Sequence, residues 1–217
     1  MHALADLADQ AEHDERLPGE SRTGPRVSLL LRAAKLVSPT AEFLCILRDV
    51  STRGLKARLF HRLPDERPLK LELGNGQRFS VEPVWEKDSH AGFRFLHDNV
   101  AVSELVREST PFPRRSLRLK LDRDVVVHDG ERQHAARLCD ISLLGVLIET
   151  AATLPLRKEV TIDHGRIALG AARVRWRRGR LHGLVLQRSL TIEQLAMLIA
   201  HVHQVGDDGA LAPLALD

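Results

Sequence analysis

The chain contains one pattern twice, at a fixed offset of 91 residues, and this repeat constrains the fold more than any other feature. The matching positions are Asp49 and Asp140, Trp85 and Trp176, and Gly92 and Gly183. Self-similarity at a constant spacing is the signature of a duplicated structural unit. The 217 residues therefore predict two copies of one small fold rather than one large domain.

Each copy is a series of short apolar runs separated by turn residues, which is typical of antiparallel β-structure. The run Leu69–Leu73 alternates apolar and polar residues, as a half-buried strand does. Six such runs in about 70 residues favour a small barrel or sandwich. The predicted strands are 27–37, 43–50, 55–60, 69–73, 79–85 and 92–95, then 117–127, 134–142, 146–150, 159–162, 168–176 and 182–186. A brief helix is predicted at 99–108. A longer helix with Thr191 as N-cap carries Ile192, Leu195, Ile199 and Val202 and ends at Gly206.

These patterns divide the chain into four parts: an acidic flexible tail at 1–20, a first barrel at 21–109, a second barrel with its helix at 110–205, and a flexible tail at 206–217. The segment Thr110–Pro113 reads as an extended linker between the barrels. No apolar run approaches the roughly 20 residues that span a bilayer, and no signal-peptide pattern opens the chain, so we expect a cytoplasmic protein. Cys45 and Cys139 are expected to be reduced, buried side chains.

A motif of the form D-x-S-x-x-G closes the second apolar run of each copy, at Asp49–Gly54 and at Asp140–Gly145. An arginine pair with three intervening residues precedes each motif, by 23 and 22 positions. Such pairs occur four times in this arginine-rich chain, so the spacing by itself carries no weight. What distinguishes Arg22/Arg26 and Arg114/Arg118 is that both lie just before the first strand of a copy.

These residue types suit a guanine nucleotide with phosphates. Arginine presents a planar fork to phosphate oxygens or to O6 and N7 of guanine. Aspartate accepts hydrogen bonds from the N1 and N2 donors on the other edge of the base, and serine adds a compact donor and acceptor. The glycine is expected to turn the chain sharply, with a positive φ, and to leave room for a ligand.

A purely structural interpretation stays open for each of these residues. One isolated aspartate–serine pair more often caps a turn than binds a ligand. Trp85 and Trp176 are expected in the barrel cores, and the histidines lack a metal-ligand cluster. The remaining arginine pairs, Arg58/Arg62 and Arg173/Arg177, are expected on solvated strand faces. The chain has 26 arginines but only 6 lysines. A genome that favours arginine codons would also explain this imbalance.

The arginine pair, the D-x-S-x-x-G motif, the V-x-W run and the closing glycine strand together resemble the PilZ family, twice in tandem, over about residues 20–108 and 112–205. The resemblance implies a mostly β chain of two six-stranded antiparallel barrels, each followed by a C-terminal α-helix, and implies cyclic di-GMP as ligand. It assigns ligand contacts by motif match to Arg22, Arg26, Asp49, Ser51, Gly54, Arg114, Arg118, Asp140, Ser142 and Gly145. Arg115 could assist Arg114, and the unusual Thr23-Gly24-Pro25 between the first pair makes the second copy the favoured site.

The resulting expectation is a cyclic di-GMP receptor without catalysis, cofactor or metal, which changes the geometry between its barrels to regulate a downstream protein. No nucleophile–base pair, metal-ligand spacing or phosphate loop suggests an enzyme. The alternative is a ligand-independent protein-interaction scaffold with one or both sites silent. A nucleic-acid partner is not expected, although the arginine content leaves it open; steep salt dependence of binding would reveal it.

Overall fold

The computed structural model describes residues 27–97, 100–106, 117–163 and 168–204, and two closed six-stranded barrels account for most of them. The first barrel comprises β1 (Val27–Val37), β2 (Glu42–Val50), β3 (Gly54–Leu59), β4 (Leu69–Leu73), β5 (Arg78–Lys87) and β6 (His90–Phe95). The second comprises β7 (Leu119–Asp129), β8 (Arg132–Ile141), β9 (Gly145–Thr150), β10 (Glu159–Asp163), β11 (Ala168–Arg178) and β12 (Leu181–Leu186). The fold class expected from the sequence is confirmed, and most strand ends agree within two residues.

Both barrels have the same topology. Around the first, the strands follow the order β1-β2-β3-β6-β5-β4, and β4 pairs with β1 to close the sheet. The second repeats this as β7-β8-β9-β12-β11-β10, with β10 returning to β7. Every pairing is antiparallel. Closure leaves no free sheet edge, and alternate side chains such as those of Leu69, Leu71 and Leu73 fill the interior.

The two helices differ in length. The first, α1 (Val102–Val106), has five described residues, so the expectation of a C-terminal helix after each barrel is slightly overstated for the first copy. The second, α2 (Ile192–Gln204), has 13. Its start is a capping box: the Gln194 N–H donates to Thr191 Oγ1 over 3.1 Å, and the Thr191 N–H donates to Gln194 Oε1 over 2.9 Å.

The barrels pack against each other through β2. Residues 42–47 of this strand are all buried, which means that both of its faces are covered. Helix α2 and strand β7 of the second copy pack against it, and the rings of Phe43 and His203 lie 4.9 Å apart at this contact. At this contact the Lys120 N–H donates to Glu42 Oε2 over 2.8 Å, and His203 Nε2 lies 3.2 Å from the Glu42 carbonyl oxygen. Nothing in the sequence pattern indicated this packing.

Several expectations concern residues outside the described part of the chain. They are the four arginines Arg22, Arg26, Arg114 and Arg115, the terminal tails and the interbarrel linker. Within the described ranges, Cys45 and Cys139 are free thiols; Cys45 is buried as expected, whereas Cys139 is only half-buried. Burial raises the pKa of the Cys45 thiol to about 12, so this sulfur stays protonated and unreactive. No helix in these ranges has the length and apolarity needed to cross a membrane.

Candidate functional site

A β-bulge places Asp140 on the outside of the second barrel. Leu138 points inward and pairs with Ile148, and the register then shifts by one residue before Asp140 pairs with Leu147. Without that extra residue, period-two alternation would carry Asp140 to the same face as Leu138. The bulge therefore converts an interior position into a surface one.

The first barrel repeats this device. Leu47 is buried, the register shifts between Leu47 and Asp49, and Asp49 then pairs with Lys56. Both aspartates thus reach the outer surface at the same point of the same fold. Bulges that re-aim one side chain often mark functional positions.

Arg118 contacts Asp140 directly. Its Nη1 donates to Asp140 Oδ1 in a salt bridge, and the two side chains are 48% and 20% exposed. Both groups are open to solvent on one side, so a ligand can reach them. The structure thus brings together Arg118 and Asp140, two of the four described members of the second predicted site. The equivalent contact in the first copy would involve Arg26, which lies outside the described residues.

Ser142 holds the turn between β8 and β9. Its Oγ donates to the Gly145 carbonyl oxygen over 3.0 Å and accepts the Gly145 N–H over 3.2 Å. Ser51 does the same with Gly54, at 3.1 and 3.2 Å. Because Ser142 is buried and its hydroxyl is occupied, the observed role is structural, and a ligand contact stays a prediction.

Gly54 and Gly145 are required by a close approach of strands rather than by backbone conformation. Neither has a positive φ, so that expectation is wrong. A Cβ at Gly145 would lie 2.3 Å from the Leu184 carbonyl oxygen, and one at Gly54 would lie 2.1 Å from that of Phe93. The opposing strand crosses so close that only a hydrogen fits at these positions.

Replacing Gly145 with alanine is expected to lower the free energy of unfolding by about 1–3 kcal/mol, because backbone on β12 must shift to admit the methyl group. Gly183→Ala is the matched control. There the added Cβ meets the Trp176 indole at 2.1 Å, and a side chain can rotate away. Urea unfolding of both variants measures the difference; an equal or larger loss of stability in Gly183→Ala would contradict the assignment.

Trp85 and Trp176 do not lie in the barrel cores, contrary to expectation. Val174 points inward, a second bulge follows, and Trp176 then pairs with Gly183 on the outer face, where it is 45% exposed. Trp85 follows a bulge in the same way and lies over Gly92. Simple alternation assigns both indoles to the interior, and the two bulges reverse that assignment.

In each barrel the aspartate and the tryptophan lie at the two ends of one row of outward-facing residues. In the second barrel this Asp–Trp row is Asp140, Leu147, Gly183 and Trp176 across β8, β9, β12 and β11. In the first it is Asp49, Lys56, Gly92 and Trp85. With strands about 4.8 Å apart, each row spans about 14 Å. Motif analysis found both ends of each row but could not place them on one surface.

The two rows differ in polarity. Around the second lie the exposed apolar side chains of Leu144 and Val185, together with half-buried Leu147. The first copy has Arg53, Arg94 and Lys56 at the matching positions. An apolar strip beside an arginine–aspartate pair favours a flat base, so the second row is the better platform for a purine.

Cys139, next to Asp140, is not an activated nucleophile. Partial burial raises the pKa of this thiol, and the nearby carboxylates of Glu149 and Asp140 raise it further. No group of three or more histidine, cysteine, aspartate or glutamate side chains converges to hold a metal ion in the described ranges. The described side chains around Asp140 offer hydrogen-bonding, charged and apolar groups.

The family's sequence model for the PilZ domain matches residues 112–204, which include the second barrel, the Arg118–Asp140 pair and α2. The second barrel is a PilZ domain. The first barrel has the same strand order, the same bulges before the aspartate and the tryptophan, and the same serine–glycine turn as this PilZ domain. No curated protein matches the chain at a significant level.

Several solved structures are similar to the chain at low identity. PlzA of Borreliella burgdorferi, solved with c-di-GMP, is 11% identical, with 82% of this chain and 93% of PlzA covered at a TM-score of 0.34. YcgR of Escherichia coli, also solved with c-di-GMP, is 13% identical, with coverage of 80% and 84% and a TM-score of 0.29. The Bacillus subtilis inhibitor of motility MotI is 10% identical, with coverage of 84% and 99% and a TM-score of 0.33. At these values neither ligand nor partner transfers from those proteins to this chain.

Proposed function

We propose that the chain is a non-enzymatic cyclic di-GMP receptor whose second barrel binds the ligand. The observation that carries this proposal is the solvent-accessible Arg118–Asp140 pair at the start of an exposed apolar row, within the PilZ domain. Asp140 would accept hydrogen bonds from N1 and N2 of guanine, while Arg118 would donate to phosphate or to O6 and N7. The two side chains contact each other in the structure, so a ligand would exchange one charged contact for several.

The remaining contacts in this proposal come from the motif match. Arg114 would supply the second arginine of the clamp from just before β7, and Ser142 and Gly145 would shape the turn beneath the base. The first barrel would offer the corresponding set Arg22, Arg26, Asp49, Ser51 and Gly54. Lys56 in the middle of its row makes that surface more polar, which supports the second barrel as the stronger site.

A route from the ligand to the barrel interface supports a change of interbarrel geometry on binding. Arg118 lies two residues before Lys120, whose N–H donates to Glu42 of the first barrel over 2.8 Å. Drawing Arg118 toward a ligand would move the start of β7, and with it this hydrogen bond. The moved interface would then present a different surface to a downstream protein.

Titration calorimetry of the full chain tests the ligand. We expect saturable heat with cyclic di-GMP and at least tenfold weaker binding of cyclic di-AMP. The reason is that adenine lacks the N1–H and N2–H groups from which Asp140 would accept hydrogen bonds. Equal affinity for the two nucleotides, or no heat with either, would contradict the proposal. Solution scattering tests the geometry separately: superimposable curves with and without bound ligand would leave a receptor without the interbarrel change.

A further inference from the structure

The hairpin of β11 and β12 in the PilZ domain carries a dense positive charge. Five arginines and no acidic residue occur between positions 173 and 180: Arg173, Arg175, Arg177, Arg178 and Arg180. Arg173 pairs with Glu159, and Arg180 pairs with Glu149 at 3.4 Å. The other three are exposed and make no ion pair or side-chain hydrogen bond with any residue that the structure describes. We name Arg175, Arg177 and Arg178 the free arginines.

An exposed aromatic ring lies between the free arginines in sequence. Arg178 pairs with exposed Leu181, on the face of Trp176, whereas exposed Arg177 pairs with buried His182, on the other face of β11. Trp176 is 45% exposed, and its indole lies against Gly183, where an added Cβ would be 2.1 Å from Nε1. The ring therefore rests on the sheet, with its outer side toward solvent. Leu181 and Val185 on the neighbouring strand add exposed apolar surface, 36% and 45% exposed.

The first barrel supplies an internal comparison, because its fold and bulge at this hairpin are the same. Its hairpin places Glu82, Glu86 and Asp88 where the second has Arg173, Arg177 and Gly179, and its one basic residue between 82 and 89 is Lys87. The barrel is thus built equally well with net negative charge at these positions. Strand formation therefore does not explain the arginines.

We propose that this hairpin binds single-stranded nucleic acid, with the free arginines on phosphates and a base stacked on Trp176. A cationic track combined with an exposed aromatic ring is the arrangement that holds single strands without sequence preference. A duplex would satisfy the arginines but would leave its bases unavailable to the indole. Arginine also holds phosphate through two parallel hydrogen bonds.

This surface shares Trp176 with the second Asp–Trp row, but its cations are different: the free arginines lie on β11, whereas the Arg118–Asp140 pair joins the residue before β7 to β8. It also changes the interpretation of the arginine excess. The sequence predicted a solvated strand face for Arg173 and Arg177 and a core position for Trp176, and a nucleic-acid partner was not expected. The exposure of Trp176 beside unpaired arginines is the reason for proposing such a partner.

Fluorescence anisotropy with labelled single-stranded 20-mers of RNA and DNA tests the proposal on the full chain. The triple variant Arg175→Gln, Arg177→Gln and Arg178→Gln should bind at least tenfold more weakly. Its slope of log affinity against log salt should be shallower by about 2, because each arginine–phosphate interaction contributes about 0.7 to that slope on a single strand.

Two controls should bind like the wild type. They are Lys87→Gln, at the position of the first barrel that matches Arg178, and Arg132→Gln, exposed on β8. Equal affinity in the triple variant, with circular dichroism unchanged, would overturn the proposal.

A second readout separates nucleic acid from other polyanions. In Trp85→Phe protein Trp176 is the only indole, and an oligonucleotide should quench its emission by stacking, whereas heparin, which has no bases, should not. Heparin that binds as tightly as the oligonucleotide, with no quenching by either, would overturn the proposal. So would binding to vesicles with anionic headgroups without any binding to the oligonucleotides.

Discussion

Arg118→Ala is expected to weaken cyclic di-GMP binding about 100-fold, which corresponds to about 2.7 kcal/mol. Hydrogen bonds to charged groups contribute about 1.5–3 kcal/mol each, and this guanidinium would make more than one of them. Asp140→Ala should have a similar effect, because it removes the acceptor for guanine and leaves Arg118 without the partner that orients it. Calorimetry on the full chain measures both effects.

Two controls sharpen this prediction. Arg118→Lys keeps the charge but loses the planar fork, so an intermediate weakening of about tenfold is expected. Arg132→Ala removes an exposed arginine from the far end of β8 and should change nothing. Wild-type affinity in Arg118→Ala would show that this pair does not form the site, even if the chain binds the nucleotide elsewhere.

The features predicted correctly from the sequence are those that depend on neighbouring residues. Turn residues and alternation located the strands, and β4 follows the alternation of Leu69–Leu73 throughout. Thr191 and Gln194 form the capping box at the position that the helical pattern indicated. The 91-residue offset predicted two copies of one barrel, because a duplicated pattern must repeat its local choices.

The features that the sequence did not reveal depend on single extra residues and on distant contacts. Bulges before Asp140 and Trp176 shift the inward–outward alternation of side chains by one residue, and nothing in the local sequence pattern marks these bulges. The same bulges place both ends of the Asp–Trp row on one surface, so the error about the tryptophan and the missed row have one cause. The burial of β2 on both faces depends on α2, about 150 residues later in the chain.

Lys35→Met is expected to lower the free energy of unfolding by about 3–5 kcal/mol, the largest stability effect predicted for the chain. Lys35 is 5% exposed, and its Nζ lies 3.1 Å from Glu42 Oε2 and 2.6 Å from Glu72 Oε1. Methionine fills the same volume but leaves two carboxylates in a poorly hydrated place without their shared cation. Denaturant unfolding measures the change. Lys70→Met, on the exposed face of β4, is the matched control and should stay within about 0.5 kcal/mol of the wild type.

The pH dependence of this effect has a defined sign. Burial of Glu72 works to raise its pKa, but hydrogen bonds and charge attraction from Lys35 and Arg78 outweigh it and hold the pKa below the usual range. A carboxyl with a lowered folded-state pKa stabilises the fold above its unfolded pKa of about 4.3, and that contribution disappears as pH falls through the folded value. The difference between wild type and Lys35→Met should therefore be largest near neutral pH and should narrow below about pH 4. A difference that stays constant down to pH 3 would mean that poorer packing, rather than the missing charge pairing, destabilises the variant. Because Glu42 also accepts the Lys120 N–H, the same substitution should loosen the packing between the barrels at neutral pH.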